Sequence, residues 1–141
     1  LQLISNENAK KAFYDSEKSI IYLPVPKRSN IKQREKILFE LYRDEMNRNL
    51  DYFLEKCTYF VGKEPKEVKI RNMKNWGNCR KDKRVTLNLK LAKKPPICTE
   101  YVLIHELCHL IEFNHGPRFK ALMDNFCPNW RDIKKLLNEE Q

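Results

Sequence analysis

Apolar side chains recur with a helical period in the long segment that follows Ser29 and Asn30. The segment runs from Ile31 to about Cys57, and its apolar positions fall mostly three or four residues apart: Leu38, Leu41, Tyr42, Met46, Leu50, Phe53, Leu54 and Cys57. This spacing puts them on one face of an amphipathic helix, for which Ser29 or Asn30 is a suitable N-cap. We therefore predict a long scaffold helix in this part of the chain.

Shorter segments with the pattern of strands lie on both sides of this helix. The segment from Ser19 to Val25 is rich in β-branched residues and runs into prolines, which predicts an edge strand leading into a turn. Beyond Gly62 and Pro65, apolar and polar residues alternate from Val68 to Met73 and again from Val85 to Leu89. A period of two is typical of half-exposed strands, so we predict a hairpin or two adjacent strands.

Three further helices are predicted in the carboxyl-terminal part of the chain. The first begins near Ile97 to Thr99, after two prolines, and continues to about Asn114. Two shorter helices run from Pro117 to Phe126 and from Asn129 to Leu137. Together with the predicted strands, these helices indicate a domain of the α+β class.

The length of the chain fits one domain with one hydrophobic core, so we predict a single domain over residues 1–141. No apolar segment approaches the roughly 20 residues that span a bilayer, and no secretory leader is recognisable, which predicts a soluble, cytoplasmic protein. The five cysteines have no close pair and fit reduced thiols. Because the chain begins at Leu1 and not at methionine, its amino-terminal boundary stays open.

The formal net charge of +9 suits an anionic partner such as nucleic acid. Lysine and arginine are spread over most of the chain and are denser at 63–74, 80–84 and 90–94. No recognised nucleic-acid-binding motif accompanies them, so a solvated basic surface is the favoured interpretation and nucleic-acid binding the alternative. The pattern does not indicate an oligomeric state.

All three histidines of the chain lie between positions 105 and 115. On a helix, His105 and His109 point the same way because they are four residues apart, and Glu106 lies at the margin of that face. Neutral imidazoles bind zinc, which lowers the pKa of a bound water to about 7, so that a nearby carboxylate can take its proton. We predict that His105 and His109 bind zinc and that Glu106 is the general base.

Catalytic zinc generally has three protein ligands, and His115 is the candidate for the third. An unbroken helix would carry His115 to the wrong side, so the helix must end before this residue. Asn114, Gly116 and Pro117 provide a residue that tolerates left-handed backbone, a C-terminal cap and a helix breaker. The sequence therefore predicts that His115 folds back to the metal.

Other interpretations of this segment remain open. The motif can arise by chance in a buried helix, and a structural zinc would need a fourth ligand such as Cys79 or Cys108, which would leave Glu106 without a role. Glu100 and Glu112 can orient an imidazole by accepting its N–H, although solvent-facing carboxylates are commoner. We expect Cys108 to serve in packing only.

Five longer stretches between about Ile20 and Leu137 form a recognisable pattern: K-I-R-N-M-K-N-W-G-N-C, T-L-N-L-K-L-A-K-K-P-P, Y-V-L-I-H-E-L-C-H-L, N-H-G-P-R-F-K and C-P-N-W-R-D-I-K-K-L-L. In this order they closely resemble the YgjP-like metallopeptidase family. The histidine spacing is also similar to that of Wss1-like and, more loosely, SprT-like proteases that act on DNA-bound proteins. The resemblance implies a minimal zincin-like α+β domain, with a small sheet packed on the metal-bearing helix and a long scaffold helix behind it.

The resemblance also implies site residues and a reaction. It places Zn²⁺ on the three histidines and the general base on Glu106, and it adds a signature near the cleft: Trp76, Gly77 and Cys79. The family's usual strands before the Ile20 to Val25 segment look short or absent here. The implied activity is that of a zinc metallopeptidase, in which Glu106 assists attack of zinc-bound water on a peptide carbonyl. The strand from Val85 to Leu89 or from Val68 to Met73 then pairs with the substrate.

Two other functions stay open from the sequence. Zinc-bound hydroxide can also attack phosphorus, so hydrolysis of a nucleotide or another phosphoanhydride is the alternative reaction, which the basic surface would favour. The second open function is that of a nucleic-acid-associated protease or of a binding module. If the chain were a binding module, its zinc would be structural.

Overall fold

The structure is a computed structural model that describes residues 2–5, 13–15, 20–23 and 30–139. These residues form six strands and four α-helices, which confirms the α+β class. In chain order they are β1 (Gln2–Ser5), β2 (Phe13–Asp15), β3 (Ile20–Leu23), α1 (Ile31–Val61), β4 (Glu67–Arg71), β5 (Gly77–Cys79), β6 (Arg84–Asn88), α2 (Pro96–Cys108), α3 (Pro117–Phe126) and α4 (Trp130–Asn138). A short 3₁₀ helix, Leu89–Lys93, joins β6 to α2.

The amino-terminal strands form a three-stranded sheet in the order β1-β3-β2. Strand β3 is parallel to β1 and antiparallel to β2. The prediction of an edge strand over Ser19 to Val25 is therefore wrong, because β3 is central and has partners on both sides. The strands that precede it are present but short, with four and three residues. Ser19, Pro24 and Val25 themselves lie outside the described residues.

The predicted scaffold helix is confirmed as α1, which extends about one turn further than predicted, to Val61. Asn30 is its N-cap. The Asn30 side chain accepts a hydrogen bond from the backbone N–H of Gln33 (2.8 Å), and the Gln33 side chain accepts one from the backbone N–H of Asn30 (2.9 Å). The helix ends at Gly62, whose left-handed backbone (φ 76°) favours glycine. Its buried face packs on α2 and on the 3₁₀ helix.

The second sheet has the order β4-β6-β5. Strands β4 and β6, both predicted, are neighbours but run parallel, so they are adjacent strands and not a hairpin. The hairpin partner of β6 is β5, an antiparallel strand that the sequence did not predict. Since β6 is paired on both edges, it has no free edge for a substrate, whereas the outer edge of β5 has no strand partner among the described residues.

Helix α2 lies at the centre of the core and contacts α1, α3, α4, β5 and β6. Val85 and Leu87 of β6 are fully buried in this core, as are Leu103 and Leu107 of α2. Burying one such side chain stabilises a fold by roughly 1.5–3 kcal/mol, so the orientation of α2 is strongly determined. A polar side chain on α2 is therefore held in one direction by the packing around it.

Candidate metal centre and active site

Helix α2 ends at Cys108, earlier than the predicted end near Asn114. The chain tightens here, and the backbone N–H groups of His109, Leu110 and Ile111 donate to carbonyl groups three residues earlier. Gly116 is extended and caps the amino end of α3, and Asn114 is not left-handed. The helix thus stops before His115 as predicted, but the predicted cap is wrong because tightened turns end the helix.

The structure brings the three histidines together in one cluster. One ring nitrogen from each of His105, His109 and His115 lies within 4.8 Å of the other two. The Nε2 atoms of His105 and His115 are 3.3 Å apart. Two nitrogens bound to a tetrahedral zinc at about 2.0–2.1 Å are separated by about this distance, so the cluster has the size of a metal site. Among the described residues, neither Cys79 nor Cys108 joins the group.

Phe119, in the first turn of α3, packs against all three imidazoles. Its ring centroid lies 4.8 Å from that of His105, 4.5 Å from that of His109 and 4.9 Å from that of His115. Phe119 is only 3% exposed, so it limits the directions in which the imidazoles can turn. We assigned it no role from the sequence. The available signal was an apolar residue in the helix that follows His115.

Burial also sets the protonation states of His105 and His109. It lowers the pKa of His105 to about 4, with His109, His115 and Lys134 acting in the same direction. Burial and His115 lower the pKa of His109, against a smaller opposing effect of the nearby backbone. Both imidazoles are consequently neutral near pH 7, which is the form that binds metal ions.

Glu106 is buried beside the cluster and is only 4% exposed. Its Oε1 atom lies 3.9 Å from Nε2 of His109. Burial raises the pKa of Glu106 to about 8, and a cation held by the histidines would act in the opposite direction. Because burial raises the pKa of this carboxyl group and a bound cation lowers it, the group can gain and lose a proton near neutral pH, as a general base must.

Strand β5 passes directly beside Glu106. A Cβ atom on Gly77 would lie 3.0 Å from Glu106 Oε2 and 2.8 Å from Val102 Cγ1, so only glycine fits without displacing them. A cleft of about 170 Å³ opens here between β5, α2 and α4, and we call it the β5 cleft. Across it, the indole N–H of Trp76 donates to Asn138 Oδ1 at 3.1 Å. The signature residues Trp76 and Gly77 therefore border the general-base candidate.

Asn88 is a positioning residue that the sequence did not predict. Its side-chain amide donates to the carbonyl oxygens of Met73 (2.9 Å) and Asn75 (3.0 Å), and its Oδ1 accepts from the backbone N–H of Lys90 (2.9 Å). Its own backbone N–H donates to the carbonyl oxygen of Trp76 (2.9 Å). Asn88 is buried, so these bonds hold the loop that leads into β5. A lone asparagine at the end of a predicted strand gave no sign of this role.

The carboxylates of Glu100 and Glu112, which we considered as partners of the histidines, do not serve as hydrogen-bond acceptors for them. Glu100 instead accepts a hydrogen bond from Lys56 of α1 at 2.8 Å. The Nδ1 atom of His109 is buried and has no hydrogen bond of ordinary geometry, so Glu112 does not orient it. Cys108 is fully buried, and burial raises the pKa of its thiol to about 12, which agrees with a role in packing.

Most basic side chains in the three dense segments are exposed. Several of the exposed cations pair with acids, as in Arg48 with Glu45, Lys69 with Glu67, and Arg80 with Asp82. This agrees with a solvated basic surface, and binding of nucleic acid stays the alternative interpretation. None of the described helices is long and apolar enough to cross a membrane.

Comparisons with known proteins bear on both the fold and the chemistry. Residues 1–140 match the family described as YgjP-like, metallopeptidase domain. The crystal structure of a metallopeptidase zymogen, Pyrococcus abyssi abylysin, matches with a TM-score of 0.56 and 23% sequence identity, over 62% of this chain and 90% of that chain. At this identity, the structural match supports the fold alone, and it confirms the predicted zincin-like architecture. No curated protein matches the chain in a sequence search.

Proposed function

Because the chain belongs to the YgjP-like metallopeptidase family, we propose that His105, His109 and His115 hold the metal ion on which its activity depends. The chain is a hydrolase of peptide bonds, and its substrates are proteins or peptides. The observation that carries the residue assignment is the convergence of three ring nitrogens within 4.8 Å in the part of the chain that the structure describes.

We propose zinc as the metal ion. A set of three imidazole ligands suits zinc, and three protein ligands leave one position for water, as in catalytic zinc sites. The 3.3 Å separation of the His105 and His115 Nε2 atoms supports this choice, because it matches one edge of a zinc tetrahedron. A site with carboxylate ligands alone would instead favour magnesium or calcium.

Glu106 is the proposed general base. When bound, the metal ion lowers the pKa of a water molecule and polarises the peptide carbonyl. Glu106 takes the proton of the attacking water and passes it to the nitrogen of the departing amine. The position of Glu106 supports this role, because its carboxylate lies beside the histidine cluster without being one of its members.

The structure changes which strand we propose for substrate binding. Strand β6 is excluded because both of its edges are paired, and β4 lies at the opposite edge of the sheet from β5. Strand β5 borders Glu106 and has no strand partner on its outer edge among the described residues. We therefore propose that an extended substrate pairs with β5, in a form of β-augmentation.

The domain boundaries and the location are proposals of the same kind. We propose that residues 1–141 fold as one zincin-like domain, supported by the family match over residues 1–140. We also propose a reducing compartment such as the cytoplasm. The five cysteines support it, because all of them are free and buried.

Metal analysis of purified variants tests the ligand assignment. The wild-type protein should contain about one zinc per chain, and alanine at any one of the three histidines should sharply lower that occupancy, because each removes a third of the ligand set. Glu112→Gln is the matched control, since Glu112 lies between His109 and His115 in the sequence and its carboxylate forms no hydrogen bond with the buried His109 Nδ1. Full zinc occupancy in His115→Ala would show that the third ligand is another residue. One equivalent of a metal other than zinc would contradict the choice of zinc but not the assignment of the three histidines.

A further inference from the structure

A second pocket opens beside the histidines, between α2, α3 and α4. It has a volume of about 300 Å³, and we call it the lysine pocket because Lys120 and Lys134 form part of its lining. His105 and His115 belong to the same wall. A side chain that enters this pocket therefore comes from a residue next to the bond being cleaved.

The other side chains that line the lysine pocket are largely apolar and are held in place by their neighbours. Phe119 and Met123 are buried, and the ring of Trp130 completes this side of the pocket. The indole N–H of Trp130 donates to Asp124 Oδ1 at 2.8 Å, and the guanidinium group of Arg131 lies 4.3 Å from the ring centroid. These contacts hold the tryptophan in place, so the pocket is preformed for an aliphatic stem.

Neither lysine of the pocket has an acidic partner among the described residues, and no residue that lines the pocket is acidic. Asp124 follows Lys120 by one helical turn and would ordinarily pair with it. Here Asp124 is instead bonded to Trp130 and to Arg131, at 2.9 Å from the guanidinium group. Lys134 has no acid one turn away on its own helix, because Trp130 and Asn138 occupy those positions.

We propose that the lysine pocket selects substrates that carry a glutamate next to the scissile peptide bond. The two methylene groups of glutamate pack on the apolar wall, and its carboxylate binds the ammonium groups of Lys120 and Lys134. A basic side chain is repelled by the same two charges, and an aromatic side chain leaves them without a partner. This proposal rests on the proposed function, because the histidine cluster defines where the bond is cleaved.

Two matched peptides test the proposal, and they differ only in having glutamate or glutamine at one position beside the scissile bond. The pair is made for each of the two flanking positions in turn. We expect kcat/KM to be about fivefold higher for glutamate at one of the two positions, the size of effect that one favourable ion pair gives. The ratio should fall as salt is raised. In Lys134→Gln it should fall to near one, whereas the neighbouring Lys135→Gln, which removes the same charge outside the pocket, should keep it.

Binding provides a second readout that does not depend on turnover. In Glu106→Gln protein, titration followed by tryptophan fluorescence should give a lower Kd for the glutamate peptide than for its glutamine counterpart, since Trp130 lies in the wall. Equal Kd values, equal kcat/KM values, or the same loss in Lys135→Gln as in Lys134→Gln would overturn the proposal. Tighter binding of the glutamate peptide with no cleavage of either peptide would contradict the proposed function and support the pocket.

Discussion

Replacing Gly77 with alanine tests whether β5 fixes the position of Glu106. The new Cβ would lie 2.8 Å from Val102 Cγ1 and 3.0 Å from Glu106 Oε2. Ordinary contact between carbon atoms begins near 3.5 Å, so the first distance is at least about 0.7 Å too short. Val102 and Glu106 both belong to the buried helix α2, which its packing prevents from moving as a unit. The strand or the Glu106 side chain must therefore shift.

The shift should affect turnover more than folding. Overpacking of this kind costs about 1–3 kcal/mol of unfolding free energy. Misplacement of a catalytic group by about 1 Å can lower the rate about a hundredfold, so we expect kcat to fall by about 10-fold to 100-fold. Zinc content should stay normal, because the atoms nearest to the new Cβ belong to Val102 and Glu106 and not to a histidine. The measurements are steady-state kinetics, metal analysis and urea denaturation of the same preparation.

Gly116→Ala is the matched control for this experiment. Gly116 has ordinary extended backbone, and a Cβ placed there would have no neighbour within 4 Å. Its turnover should stay within about twofold of the wild type, as for most substitutions away from special features. Wild-type turnover and stability in Gly77→Ala would refute the proposed constraint on Glu106. Equal damage in Gly116→Ala would show that crowding beside β5 is not the cause.

Two further predictions concern the cysteines and the basic surface. Burial raises the pKa of Cys57 and Cys108 to about 12 and that of Cys79 to about 11, so iodoacetamide at pH 8 should label the folded protein very slowly and all five thiols after unfolding. Fast labelling of the folded protein by iodoacetamide would contradict the burial of the cysteine thiols. Because several exposed cations already pair with acids, duplex DNA should show no saturable binding at about 200 mM salt, and tight binding there would indicate a dedicated site.

Local patterns in the sequence predicted the elements that depend on local spacing. Helix α1 has an apolar period long enough to identify it without any tertiary information. Strand β5 has only three residues, with no alternation of apolar and polar positions, and it is a strand because it pairs with β6. The central place of β3 likewise depends on its pairing with both β1 and β2, which the pattern of its own residues does not show. The early end of α2 comes from tightened turns that no cap residue marks.

In the candidate site, too, some features follow from local sequence spacing and others depend on tertiary packing. His105, His109 and Glu106 share one helical segment, so their relation follows from helix geometry, and His115 follows soon after in sequence. The close approach of Gly77 to Glu106 and the place of Lys134 beside His105 depend on how distant elements pack. The proposed chemistry was therefore accessible from the sequence, whereas the residues that position and complement it were not.

Glu106→Gln tests the central claim most directly, because it keeps the shape of the side chain and removes its ability to accept a proton. The carboxylate lies 3.9 Å from the nearest histidine nitrogen and outside the proposed ligand set, so zinc should stay bound at the wild-type level. General-base assistance is worth about 10² to 10⁴ in rate, so turnover on any peptide that the wild type cleaves should fall at least about a hundredfold. Near-normal turnover with normal zinc would contradict the proposed role of Glu106, and loss of zinc would show that Glu106 is a ligand.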